Sequence, residues 1–156
     1  MPAGSEVPVD LPHTWRPLGT RMVGYVSGFG LVAIVAGGWF ALGDDIRATF
    51  TTWQRVTCVV LGLLAAAVWY ALVRPRLTAT TEGVVVVNGY RVRRLDWAQV
   101  VSVRLRRGAP WAEMDVSDGT SIAVMALQGS DGDRARDALK EFGVLLRAQT
   151  KIDRDG

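Results

Sequence analysis

Two uncharged runs and one change of period organise the chain. Val56–Val73 passes eighteen residues without a charge, nine of them Val or Leu, and then meets Arg74-Pro75-Arg76. At 1.5 Å per residue this run reaches about 27 Å, close to a hydrocarbon core of about 30 Å. Pro75 cannot continue a helix and pushes Arg74 out of the α region. Met22–Leu42 is a second uncharged run, with five glycines, a content poor for a soluble helix but suited to a membrane helix packed on a neighbour. Neither run has a polar face, so spans at about 22–42 and 56–73 are expected rather than buried core helices. Gly24 and Gly28, Ala33 and Gly37, and Gly30 and Gly38 would face Cys58, Gly62 and Ala66. The pattern predicts an antiparallel two-helix transmembrane hairpin over 22–73, with a dimer through the same stripe as the rival. In the connector Gly43–Arg55, Ile46, Phe50 and Trp53 fall at i, i+4 and i+7 behind Asp44 as N-cap, predicting a short interfacial helix. An irregular loop is the alternative there.

From Leu77 the period is two. Leu77–Thr80 is a first strand, turned by Thr81-Glu82-Gly83. Val84–Val87 and Tyr90–Leu95 flank Asn88-Gly89, a strong hairpin signal that pairs Val87 with Tyr90 and Val85 with Val92 on one apolar face. Val84, Val86, Arg91 and Arg93 then share the other face. Arg94-Leu95 interrupts the alternation, so a bulge is expected there. Val101, Val103 and Leu105 alternate with Ser102, Arg104 and Arg106; beyond Arg107-Gly108-Ala109-Pro110, Ala112, Met114 and Val116 alternate with Glu113 and Asp115. This places Arg104 opposite Glu113. Only a three-residue loop at Ser117-Asp118-Gly119 pairs Met114 with Ile122 and Ala112 with Val124, with Gly119 at φ > 0.

Ser130-Asp131-Gly132-Asp133 opens a helix with caps and acidic residues at its positive end. Ala135, Ala138, Leu139, Phe142, Leu145 and Leu146 form its apolar stripe. About six antiparallel strands and one amphipathic helix predict a small β-barrel or sandwich whose open end the C-terminal helix caps, an α+β fold. Residues 1–21, with Pro2, Pro8, Pro12 and Pro17, read as a disordered cytoplasmic tail, and Trp15-Arg16-Pro17 as a headgroup-level anchor.

Composition narrows the chemistry. The net charge is +3, and sixteen of the eighteen basic residues are Arg. Cys58 is the one cysteine and lies in an apolar helix; His13 is the one histidine. No disulfide framework, thiol metal site or cofactor motif can be assembled from these. Asp115 with Asp118, and Asp131 with Asp133, fall in turns or caps with no nucleophile nearby, so no catalytic residue is assigned and the chain is read as no enzyme. Arg16 and Arg21 precede the first span and Arg74 and Arg76 follow the second, whereas the connector offsets Arg47 and Arg55 with two aspartates. The positive-inside rule places both termini in the cytoplasm, as a multi-pass protein of the cell membrane.

Glu82-Gly83-Val84, Arg94-Leu95-Asp96-Trp97, Gly108-Ala109-Pro110-Trp111-Ala112 and Asp118-Gly119-Thr120 occur in an order that continues through Leu127-Gln128 and Asp131-Gly132-Asp133-Arg134-Ala135. This order resembles the bacterial PH-like domain family named after the mycobacterial low molecular weight protein antigen 6. The likeness runs from Arg74 to about Leu146, and the two-span layout is similar to that of actinobacterial members. It implies a PH-like domain over 76–149 and brings no established activity or catalytic residue. The familiar PH task is to grip a phosphoinositide with a basic loop between the first two strands. Counted from Leu77–Thr80, that loop is Thr81-Glu82-Gly83; counted from Val84–Val87, it is Asn88-Gly89, followed by Arg91-Val92-Arg93.

Arg91, Arg93, Arg94, Arg106 and Arg107, with Arg104 beside them, are therefore the candidate contact residues. They could meet anionic lipid, or form a solvated face with cross-strand partners. Nucleic acid is not expected, because no exposed aromatics interleave with them. The reading favoured by the sequence is a membrane-anchored, non-catalytic module that docks a protein partner. A reader of anionic headgroups or membrane surface charge is the competing one.

Overall fold

The computed structural model describes residues 9–155, with side chains to Thr150. Thr20–Val73 forms one unit, and the segments on either side of it in sequence form the other.

In the second unit, β1 (His13–Trp15), β2 (Arg76–Ala79), β3 (Gly83–Asn88) and β4 (Arg91–Asp96) make an antiparallel sheet in that order. A second antiparallel sheet holds β5 (Val100–Arg104), β6 (Trp111–Val116) and β7 (Ser121–Gln128). The two sheets form a sandwich, not a closed barrel. Leu77, Val84, Val86 and Leu95 from one sheet and Ala112, Met114, Val116 and Val124 from the other face a common core. Helix α4 (Asp133–Asp155) inserts Phe142 between them, fully buried, with its ring 5.7 Å from Trp15 and 6.0 Å from Trp97. Burying a side chain of that size contributes about 1.5–3 kcal/mol. The expected helical stripe is the one used: Ala135 and Leu145 are buried with Phe142, and Ala138, Leu139 and Leu146 pack against the same core.

Residues 1–8 of the expected tail lie outside the described residues; residues 13–21 depart from that expectation. His13–Trp15 pairs with Leu77–Ala79, and Trp15 is buried, its Nε1 donating to Glu141 Oε2 at 2.9 Å. A three-residue strand between two prolines is too short to show a period, and its partner lies sixty-four residues further on. The whole of Thr20–Val73 is thus inserted between two adjacent strands of one sheet.

The β3–β4 loop lies one residue later than expected, which moves the pairing by two. Asn88 pairs with Arg91 and Val87 with Val92, so Gly89-Tyr90 is the loop, and Gly89 at φ 57° fits the first central position of a type II′ turn. Asn88 has a different task. Its Nδ2 donates to Ala123 O at 2.5 Å and its Oδ1 accepts from Met125 N at 3.1 Å, fastening the end of β3 to the edge of β7. The core takes Val84, Val86 and Leu95, while Tyr90 and Val92 of the expected apolar face are exposed. β4 carries no bulge; the register shift lies between Val100 and Ser102, which turns Val101 outward and leaves Val100 and Val103 toward the core. The β6–β7 register is as expected, with Met114 opposite Ile122, Ala112 opposite Val124, and Gly119 at φ 84°.

The inserted unit holds α1 (Leu18–Ala41), α2 (Asp44–Thr49) and α3 (Thr52–Val73). Both α1 and α3 are long and apolar enough to cross a membrane, and α1 buries no side chain. They run antiparallel and touch at one end. Trp69 Nε1 donates to Gly24 O at 2.6 Å, and a Cβ on Gly28 would stand 2.5 Å from that indole nitrogen. Beyond this seam the expected stripe is not closed: Gly30, Gly37, Gly38 and Gly62 face open space. Cys58, Gly62 and Ala66 line an apolar groove of about 1130 Å³. The expected connector stripe is also divided. Asp44 starts α2 behind Gly43 rather than capping it, and Phe50 is extended and meets Trp39 at 5.4 Å.

Candidate docking surface

Two arginine-bearing strands end up in different electrostatic settings. On β5, Arg104 stands opposite Glu113 as the register requires, yet its guanidinium bonds diagonally to Asp115. Glu113 is reached instead by Arg106 at 3.7 Å. Asp115 also accepts from Ser102 Oγ at 2.7 Å and Ser121 Oγ at 2.9 Å. The Ser102 and Ser121 hydroxyls, with Arg104, hold its carboxyl below the usual carboxylate range.

β4 is the contrast. Arg91, Val92, Arg93 and Arg94 are four successive exposed residues on the terminal strand of its sheet. Among the described residues none of these three arginines has a carboxylate within ion-pair distance. Arg93 acts only at longer range. Asp118 is held low first by the hydroxyl and amide of Thr120, at 2.7 and 2.8 Å, with a smaller contribution from the Arg93 charge. Arg91 and Arg93 share one face of β4, and Arg94 lies on the other with Val92.

Of the sequence-predicted contact residues, the structure therefore brings Arg91, Arg93 and Arg94 together on one strand. Arg106 is tied to Glu113, and Arg107 lies outside the strands in the β5–β6 turn beside Gly108 at φ 77°. Sequence reasoning missed Asn88 as an inter-sheet tie, although an Asn at a strand end, followed by glycine, was visible. Trp97 is core, its Nε1 donating to Thr80 O at 3.0 Å, and Trp111 lies half-exposed at the rim.

The phosphoinositide loop takes a different form from either expectation. With β1 as first strand, the connection between the first two strands is the apolar insertion itself. Neither expected loop occupies that place: Thr81-Glu82-Gly83 joins β2 to β3, and Gly89-Tyr90, rather than Asn88-Gly89, joins β3 to β4. Among the described residues no group of three His, Cys, Asp or Glu side chains is placed to hold a metal ion.

Seven antiparallel strands in a four-plus-three sandwich, followed by a helix that fills the core, define a PH-like domain. Comparison with known proteins agrees: residues 74–144 match the family described as bacterial PH domain. An uncharacterized protein of Mycobacterium bovis and one of Mycobacterium tuberculosis are each 34% identical over 140 residues, covering 86% of this chain and 91% of theirs. This chain belongs to the bacterial PH domain family. No solved structure matches it.

Proposed function

We propose that the chain is a membrane-anchored PH-like module that docks a protein partner at the cytoplasmic face and performs no chemistry of its own. The observation that carries the anchoring is the pairing of β1 with β2 across the inserted unit. Strands on either side of two spans can pair only if the spans return to the side they left, so a two-span anchor and both ends on one side go together. The basic flanks choose which side, and the connector is further neutralised because Asp44 pairs with Arg47. Protein docking is favoured over headgroup reading because the arginines without partners line a strand edge rather than ring a loop, and the familiar loop position is taken by the insertion. PH domains generally serve as interaction modules rather than catalysts, in keeping with this reading.

Cysteine labelling tests the topology. In a Cys58→Ser background, a cysteine at Thr51 should react with an impermeant thiol reagent in intact cells, and one at Ser117 should not; labelling at Ser117 reverses the assignment. Capture from native membranes tests docking. Specific partners should be lost when the chain is truncated after Pro75, and salt-sensitive binding to anionic vesicles with no protein captured would favour the lipid reading.

A further inference from the structure

Four strand edges bound the two sheets, and three are blunted. β1 is three residues long, β5 is broken by the shift between Val100 and Ser102, and β7 is fastened by the Asn88 amide at Ala123 and Met125. Short length, bulges and bonded cover are the usual means of stopping an edge from recruiting another strand. β4 has none of these three; its protection is charge alone, three exposed arginines that repel a like-charged strand and attract an acidic one. It is six residues long, paired without a break to β3, free of proline, and exposed from Arg91 to Arg94.

The direction of its backbone groups follows from its two ends. Asn88 and Arg91 flank a two-residue loop, and Asp96 N donates at 2.9 Å to Gln99 Oε1, away from β3. In an antiparallel ladder the direction alternates, so Arg91, Arg93 and Leu95 bond to β3. Val92 and Arg94 then turn their N–H and C=O outward, with no strand beyond them in the sheet among the described residues.

We propose that the β4 edge accepts an extended acidic segment of the partner protein as an added strand, a proposal that rests on the docking reading above. The backbone of Val92 and Arg94 supplies the ladder, and three arginines without ion-pair partners supply the selection. Laid antiparallel, a segment reading Glu-Glu-Val-Glu sets carboxylates opposite Arg94, Arg93 and Arg91 and its valine opposite Val92. Opposite charges directly across a strand pair attract, and like charges repel. The same rule disfavours a second copy of this chain, because pairing β4 with β4 would bring arginine clusters together. A β-strand-adding site of this kind takes its affinity from main-chain bonds and its specificity from alternate side chains.

The test uses the full chain in neutral phosphatidylcholine nanodiscs and the capped peptide Thr-Val-Glu-Glu-Val-Glu-Thr. The peptide should bind at least tenfold more tightly than its glutamine twin. N-methylation of the second valine and of the first glutamate, the residues opposite Val92 and Arg94, should abolish binding, whereas N-methylation of the other two glutamates should be tolerated. Val92→Pro removes only an outward N–H and should lose the peptide, while Arg104→Gln should retain it. The methylated peptides keep the test valid even if Val92→Pro misfolds. Binding indifferent to methylation, or no binding at all, overturns the added strand. If native partners are then still captured by folded Val92→Pro chain, docking uses another surface. If nothing is captured and phosphatidylserine nanodiscs alone engage the arginines, the docking reading fails as well.

Discussion

β4 and β5 each carry arginines and belong to one small sandwich, yet they have opposite relations to their neighbours. On β5, Ser102 and Arg104 both meet Asp115 of β6, and Arg106 just beyond the strand meets Glu113, so these arginines are spent within the fold. Each strand has a neighbour on one side only, but β6 offers β5 two carboxylates, Glu113 and Asp115, whereas β3 is apolar on both faces from Val84 to Val87. Among the described residues the β4 arginines find no carboxylate within ion-pair distance. The difference teaches that charge count along a strand says little; the residues of the neighbouring strand decide whether a charge is structural or available.

That comparison assumes both strands stand on one core, which gives the largest expected effect. Phe142→Ala removes a side chain buried among both sheets and should cost about 3–5 kcal/mol. Fluorescence and circular dichroism should report a single transition, shifted together. Separate melting of β4 and β5 would break the comparison at its base.

Asn88 comes next. Its replacement by alanine leaves Ala123 O and Met125 N without their partner and should cost about 1–3 kcal/mol in chemical denaturation. It should also expose the β7 edge and raise the tendency to associate. A neutral Asn88→Ala would mean that β7 is covered by something other than this amide, and the contrast among edges would weaken.

Acid sharpens the contrast from the β5 side. Asp115 is held below its ordinary value near 3.8, first by Ser102, then by Ser121 and Arg104. A lowered carboxyl contributes stability that is fully present above that ordinary value and is lost as pH falls through the lower folded value. Unfolding followed between about pH 5 and pH 2 should therefore show a smaller loss in Ser102→Ala than in the parent. An identical acid profile would remove Asp115 as the sink for β5 charge.

The smallest effect belongs to β4 itself. Arg91→Gln with Arg94→Gln should leave stability within about 0.5 kcal/mol of the parent, since neither side chain has an internal ion pair to lose. A larger loss would assign these arginines to the fold.

Much of this was legible in the chain, for reasons that differ by element. The β6–β7 register could be read because Ala112, Met114 and Val116 admit one loop length only, and the α4 stripe because its spacing is purely helical. The two apolar helices announce themselves by the absence of charge. β1 was hidden because three residues carry no period and its partner follows the insertion. The β3–β4 shift was hidden because Asn88-Gly89 is the stronger turn pair by residue type, whereas the turn formed is Gly89-Tyr90, with Asn88 committed to β7. Six arginines in two groups could be listed from sequence, but which of them are neutralised depends on which strand lies alongside, and alternation alone does not reveal that.

The most direct test of the central claim needs no ligand. Amide hydrogen exchange across β4, resolved by residue, should find Val92 and Arg94 close to unprotected while Arg93, facing β3, and Met125, held by Asn88, are protected. Uniform protection along Arg91–Leu95 would mean that the β4 edge is already closed, and would contradict the account.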